Sequence, residues 1–136
     1  WNEFLIGPKR NALKPDELIT GATWPAIKGA GSFSKVGTRN AMVIAVVGLC
    51  LVLDQERRQI RVALGSVGPT IIRARDAEQL AGDALSAGKP IDVAEFAEHV
   101  AGAAKPIDDV RGTADYRRHA CRVLAARAVN WALSSG

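Results

Sequence analysis

Two stretches in the first half of the chain have the hydrophobic patterns of β-strands. Ala41 to Leu53 is a run of 13 largely apolar residues rich in Val and Ile, which predicts a strand covered on both faces. After a polar break, Ile60, Val62 and Leu64 alternate with Arg61 and Ala63, which is the period of a strand with one buried face, and we expect this strand to extend from Ile60 to Val67. We expect these two segments to form an antiparallel hairpin, preceded by a short strand from Ser32 to Gly37.

After Pro69 the apolar residues take up the spacing of helices. Ala77 to Leu85 carries one apolar stripe, and Gly88 is placed to end that helix. A second helix begins at Asp92, a capping residue, and a third begins near Thr113. The face that we expect the third helix to bury consists of Tyr116, Ala120, Val123, Leu124, Ala128 and Trp131. Strands followed by helices predict an α+β sandwich: an antiparallel sheet of three to four strands with three helices packed on one face.

The residues before this domain have no such periodicity and are interpreted as an arm. A turn is predicted at Gly7-Pro8, and an extended segment from Glu17 to Trp24 is expected to end at Pro25. The glycines of Ala26 to Gly31 indicate a loop at the boundary. The sequence therefore divides into an arm, residues 1–28, and a main domain, residues 29–136.

Composition places the chain among soluble globular proteins. It has 136 residues, 48% of them hydrophobic and 24% charged, enough apolar surface for one compact domain. The longest apolar run is shorter than the roughly 20 residues that a membrane-spanning helix needs. Cys50 and Cys121 stand alone, so a disulfide framework is not expected and a cytoplasmic location is the default.

The net charge of +4 arises near the C-terminus. From Arg111 onward the sequence has five arginines and a single acidic residue, Asp115. These arginines are Arg111, Arg117, Arg118, Arg122 and Arg127. No aromatic residues are interleaved with them for base stacking, so we interpret the cluster as a solvated helix face and expect no nucleic-acid partner.

No complete catalytic or metal site can be identified from the residues. His99 and His119 have no nucleophile at a useful spacing, and no Cys/His group has the spacing of a zinc site. The glycines do not form a phosphate-binding loop between a strand and a helix. Asp109 is expected to form an ion pair with Arg111 or Arg117 that fixes the entry to the last helix. Neither catalytic nor metal-ligating residues are therefore predicted.

Lys35 is the one residue that the local pattern singles out. It lies in the short strand beside Phe33, among apolar neighbours. From these residues alone, a functional cation and an ordinary charge on an edge strand are equally good interpretations.

Four blocks of sequence resemble a known family in the same order. They are G-P-K-R-N-A-L-K-P-D-E-L-I (Gly7 to Ile19), F-S-K-V-G-T-R-N-A-M-V-I-A (Phe33 to Ala45), I-R-V-A-L-G-S-V-G-P-T-I-I-R-A (Ile60 to Ala74) and P-I-D-D-V-R-G-T-A-D-Y-R-R-H (Pro106 to His119). Together they resemble the FAD-binding medium subunit of molybdenum hydroxylases of the carbon-monoxide dehydrogenase and xanthine dehydrogenase type. The match corresponds to the end of the FAD-binding domain, residues 1–28, followed by the C-terminal domain, residues 29–136.

The resemblance implies a supporting role at a flavin. Lys35 matches a lysine that contacts the flavin, and Ile19 matches an apolar residue against the isoalloxazine. The loops that hold the FAD pyrophosphate would lie in a part of the subunit N-terminal to this sequence. Molybdopterin and [2Fe–2S] clusters would be carried by partner subunits, a molybdenum-containing large subunit and an iron-sulfur small subunit, in a hetero-oligomer. One departure is Met42-Val43, where many members have an acidic residue.

Two other function classes stay open at this stage. An α+β sandwich of this kind can be a non-catalytic module that docks onto neighbouring subunits through its arginine-rich helix. A small basic protein that binds nucleic acid is the weaker alternative.

Overall fold

The computed structural model describes residues 3–135, so Trp1, Asn2 and Gly136 lie outside it. Two short strands of the arm, β1 (Leu5–Gly7) and β2 (Arg10–Asn11), form a small sheet. The main sheet has four antiparallel strands in chain order: β3 (Gly31–Val36), β4 (Val47–Asp54), β5 (Gln59–Gly65) and β6 (Ile72–Arg73). Three helices follow: α1 (Arg75–Ser86), α2 (Val93–Ala103) and α3 (Ala114–Ser134). The predicted α+β architecture is confirmed.

The helices cover one face of the main sheet. Helix α1 lies against β5, α3 crosses β4 and β3, and α2 packs on the other two helices. Side chains of β4 and β5 that point toward the helices, such as Leu49, Leu51 and Val62, are fully buried. On the opposite face, Cys50 and Val52 of β4 are only partly buried. The prediction that this strand is covered on both faces is therefore wrong for its outer face.

Strand β4 begins later than its apolar run suggests. Residues 37–46 form a loop that returns from β3 to β4, and the N–H of Val46 donates to the carbonyl of Val36 at 2.8 Å where the loop closes. Within this loop the side chains of Met42 and Ile44 are 97% and 70% exposed. Continuous apolarity is thus a poor guide here, because Ala41, Met42 and Ile44 are exposed and only Val46 of this loop belongs to the core. The predicted hairpin of β4 with β5 is confirmed, with Leu49 opposite Leu64.

The helix starts follow the local capping signals. The carboxylate of Asp92 accepts hydrogen bonds from the N–H groups of Ala94 and Glu95 at the start of α2, and the hydroxyl of Thr113 accepts one from Tyr116 at the start of α3. Gly88 follows α1 with a φ of +64°, the left-handed conformation that glycine adopts without strain. These boundaries agree with the predicted helix limits.

The buried face of α3 differs from the predicted one. Tyr116 and Trp131 are about half exposed, whereas the buried residues are Arg117, Ala120, Cys121, Ala125, Ala128, Val129 and Ala132. Most of these are small, which lets the helix backbone approach the sheet closely. The prediction is confirmed for Ala120 and Ala128 and wrong for Tyr116 and Trp131, because close approach, and not side-chain size, decides which face of this helix is covered.

The arm packs little against the rest of the molecule. Every residue from 8 to 29 is exposed, and the predicted extended segment from Glu17 to Trp24 forms no strand. No helix within residues 3–135 is long and apolar enough to cross a membrane.

Candidate functional site

Lys35 lies on β3, the edge strand of the main sheet. Exposure alternates along β3, and Phe33 and Lys35 are on its exposed side. The Lys35 Nζ donates a hydrogen bond to the carbonyl of Val43 at 3.0 Å. An ammonium group has three N–H donors, so two are left without a partner among residues 3–135. The side chain is therefore oriented by the protein but can still donate to another molecule.

The loop of residues 37–46 provides the carbonyl that orients Lys35. Its close turn depends on Gly37, where an added Cβ would lie 2.5 Å from a methyl carbon of Val43. The N–H of Ala41 donates to the carbonyl of Arg39 at 3.0 Å within the same turn. Only Val43 of the Met42-Val43 pair contacts the lysine, and it does so through its backbone carbonyl.

Exposed apolar residues lie near Lys35 in the chain, on its own strand and in the loop whose carbonyl it contacts. Phe33 is 70% exposed beside Lys35, and Met42 and Ile44 project from the loop. A held ammonium group next to apolar surface suits a flat, mostly apolar ring with carbonyl or anionic atoms at one edge. A flavin ring has this chemistry, so the residues present fit one side of such a group.

Ile19, the other predicted site residue, lies in the irregular part of the arm and is 64% exposed. It belongs neither to the buried core nor to the apolar side chains packed on it. No hydrogen bond within the described chain joins residues 13–25 to β3. Ile19 is therefore an exposed apolar residue in a segment that no hydrogen bond ties to the strand of Lys35.

A second polar cluster lies where the chain enters α3. Arg117 is buried, and its Nη1 donates to the carbonyl of Ser66 at 2.8 Å and to that of Val46 at 3.3 Å. Its Nη2 donates to the carboxylate of Asp109, which also accepts from Arg111. The predicted ion pair is thus present with both arginines. The prediction of a solvated arginine face is wrong for Arg117, because three oxygen atoms from three segments accept hydrogen bonds from its guanidinium group.

We expect the stability of the protein to fall at low pH partly through Asp109. Hydrogen bonds from the backbone N–H of Arg111 and from the guanidinium of Arg117 hold the pKa of Asp109 below its ordinary value of 3.8. A carboxylate with a lowered folded-state pKa stabilises the fold fully above the unfolded pKa, about 3.9, and loses this contribution as pH falls through the lowered value. Urea unfolding between about pH 5 and pH 2 should therefore show a weaker pH dependence for Asp109→Asn.

Asp115→Asn is the matched control for this measurement. The Asp115 side chain is 96% exposed on the same helix entry, and its partner Arg118 is 3.3 Å away at the surface. We expect this variant to keep the wild-type pH dependence. If the free energy of unfolding depended on pH equally in wild type and Asp109→Asn, Asp109 would not contribute to the loss of stability at low pH.

The histidines and cysteines of the described residues form neither a nucleophilic site nor a metal site. His99 and His119 are exposed on α2 and α3. Both cysteines are free, and burial raises the pKa of Cys121 to about 11, which makes its thiol a poor nucleophile. Within residues 3–135, no three His, Cys, Asp or Glu side chains are grouped to hold a metal ion.

Comparison with known protein families identifies one that covers most of the chain. Residues 32–132 match the family described as CO dehydrogenase flavoprotein C-terminal domain. A xanthine dehydrogenase FAD-binding subunit of Escherichia coli O157:H7 is 26% identical over 141 residues, a match covering 98% of this chain and 47% of that protein.

Solved structures share the fold. A carbon monoxide dehydrogenase from Hydrogenophaga pseudoflava is 26% identical with a TM-score of 0.78, covering 98% of this chain and 47% of that one. A reconstituted CO dehydrogenase from Oligotropha carboxidovorans has the same fold at 22% identity, with a TM-score of 0.82 and coverage of 98% and 48%. The chain spans about half the length of these relatives. Since the family match includes most of the main domain, the chain belongs to the CO dehydrogenase flavoprotein C-terminal domain family.

Proposed function

We propose that this chain helps to enclose the FAD of a molybdenum hydroxylase, with Lys35 and Ile19 beside the isoalloxazine ring. In this proposal residues 1–28 are the end of the FAD-binding domain and residues 29–136 are the C-terminal domain. The observation that carries the proposal is the Lys35 ammonium, oriented by the Val43 carbonyl at 3.0 Å with donors to spare. The family match and the FAD-binding subunit among the relatives support it.

The complete enzyme would be a cytoplasmic hetero-oligomeric oxidoreductase. A molybdenum-containing large subunit would carry molybdopterin, and an iron-sulfur small subunit would carry [2Fe–2S] clusters. When bound, FAD would supply the redox chemistry that accepts electrons from those clusters. Support for this assembly comes from the family match and the carbon monoxide dehydrogenase structures that share the fold.

The residues of this chain would bind and position the ring. Lys35 would donate an N–H to a ring carbonyl and place a positive charge where negative charge accumulates on reduction. Ile19 would cover part of the ring and exclude water. Val43 would position Lys35 by holding one of its three donors. The chain would add contacts to one edge of the ring and recover only a small part of the binding free energy of FAD.

Lys35→Met in the complete, FAD-loaded subunit is expected to lower the flavin midpoint potential. A unit charge about 4 Å away is worth roughly 4 kcal/mol at an effective dielectric constant of about 20, before solvent screening. Because Lys35 is exposed, we expect a smaller shift, on the order of 30 mV or about 1.4 kcal/mol for a two-electron couple. Spectroelectrochemical titration measures the potential.

Lys89→Met is the control, since Lys89 is an exposed lysine in the loop between α1 and α2. It should leave the flavin potential unchanged. If Lys35→Met binds FAD normally and has the wild-type potential, Lys35 is only a solvated charge on an edge strand and the proposal fails.

A further inference from the structure

A polar cavity of about 600 Å³ lies at the edge of the main sheet, between the β4–β5 turn, β6 and α1. Five arginines line it: Arg57, Arg58, Arg61, Arg73 and Arg75. The lining includes only two carboxylates, those of Glu78 and Asp83. The lining therefore has an excess of positive charge. Residues 1–110 taken together, by contrast, contain equal numbers of basic and acidic residues.

An ordered ion pair forms one wall of the cavity. Arg73 Nε and Nη2 each donate to a carboxylate oxygen of Glu78 at 2.7 Å, a two-point contact that fixes both side chains. Glu78 is tied in turn to the sheet, because its Oε1 accepts from the N–H of Val62 at 2.8 Å. The Glu78 side chain is only 11% exposed. Arg73 is thus held in place before any ligand arrives.

Two guanidinium groups at the rim are free to bind an anion. Within residues 3–135, neither Arg58 nor Arg61 has a carboxylate within 4 Å, whereas Arg57 is paired with Asp54 at 2.8 Å. Arg58 lies in the turn with a φ of +50°, an uncommon conformation for a residue with a side chain.

The β5 edge limits what can bind here. Val62 has both backbone groups occupied, its N–H by Glu78 and its carbonyl by the N–H of Ala74 at 3.2 Å. In an antiparallel ladder the outward-pointing backbone groups recur at every second residue, so those of Ile60 point the same way. Ile60 lines the cavity but is only 1% exposed as a whole residue, so its backbone groups are covered as well. With Val62 occupied and Ile60 covered, neither position can pair with an added peptide strand.

We propose that this cavity is a binding site for a compact anion with adjacent phosphate groups, such as a nucleotide diphosphate or an inorganic polyphosphate. Arginines from the turn, from β5 and from β6 line one concave site, and the guanidinium groups of Arg58 and Arg61 are without a carboxylate partner among residues 3–135, so they can bind phosphate oxygens. The volume is that of a small-molecule site. The occupied and covered β5 edge favours such an anion over an extended acidic peptide.

Calorimetric titration of the full-length protein with inorganic tripolyphosphate and, separately, with ADP tests the site. We expect saturable binding that weakens at least about tenfold when Arg58→Gln and Arg61→Gln are combined. Both side chains are exposed, so the double variant should keep the wild-type melting temperature. The control combines Arg118→Gln and Arg127→Gln, which removes the same charge from exposed positions on α3. The control should bind like wild type.

The outcomes separate the sources of the anion and the competing interpretations. Tighter binding of ADP indicates a nucleotide, and equal or tighter binding of tripolyphosphate indicates that phosphate groups alone are recognised; both support the site. No saturable binding of either anion overturns the proposal, as does equal weakening in the control, which would show non-specific attraction. A hexaglutamate peptide that binds the same arginines more tightly than either anion would also overturn it, in favour of an acidic protein segment.

Discussion

Arg117→Met is expected to destabilise the protein by about 3 kcal/mol, in the range measured when one partner of a buried ion pair is removed. The side chain of Arg117 is 4% exposed, and its guanidinium holds the Asp109 carboxylate and the carbonyls of Val46 and Ser66. Methionine has a similar length but no donors, so three acceptors lose a hydrogen bond in a poorly solvated place. Urea unfolding followed by circular dichroism measures the change.

Arg118→Met is the matched control, one residue further along the same helix. Arg118 is 46% exposed, and its single ion pair with Asp115 is at the surface. Such a substitution changes stability by no more than about 0.5 kcal/mol. If the two variants had the same stability, the hydrogen bonds of Arg117 would not hold the entry to α3 against the sheet.

Gly29→Ala is the second substitution with a large expected effect. Gly29 has a φ of +147°, and an added Cβ would lie 1.9 Å from the carbonyl oxygen of Leu53. Two backbone hydrogen bonds hold the segment around Gly29 against the end of β4. The N–H of Leu53 donates to the carbonyl of Ala30, and the N–H of Gln55 donates to the carbonyl of Lys28. The clash is with backbone and cannot be relieved by a rotamer change. We expect a loss of about 3 kcal/mol in the free energy of unfolding, measured by thermal and urea unfolding.

Gly82→Ala separates this backbone effect from a general response to alanine. Gly82 lies inside α1, and a Cβ there would meet nothing within 4 Å. Because alanine favours the helix over glycine, this variant should gain up to about 1 kcal/mol. A Gly29→Ala variant as stable as wild type would mean that β3 can separate from the end of β4 without cost.

Local signals predicted the elements that depend on neighbouring residues only. Asp92 and Thr113 were identified as helix starts because a capping oxygen bonds to N–H groups two or three residues ahead. The ion pair of Asp109 was expected for a similar reason, since Arg111 and Arg117 are close in the chain. That Arg117 is buried was not predicted, because Val46 and Ser66 come from segments 71 and 51 residues away.

For the candidate sites, too, the sequence predicted what is local and missed what depends on distant segments. Lys35 was singled out from its strand and from the family resemblance, but the carbonyl that orients it comes from a loop that had been assigned to a strand. The arginine cavity was missed altogether. Its arginines lie in two groups along the sequence, and only the antiparallel pairing of β4 with β5, with β6 and α1 beside them, brings these groups together.

The sequence by itself therefore determined the order of β3, β4, β5 and the three helices, the caps of α2 and α3, the β4–β5 hairpin and the resemblance to the family. Spacing along the chain encodes these features, because the periods of strands and helices and the reach of a capping side chain are local. The tertiary structure decided which face of α3 is buried, where β4 begins and which arginines meet. Those outcomes depend on partners from distant segments, since burial of a charge or an apolar side chain is favourable only where another part of the fold supplies its contacts.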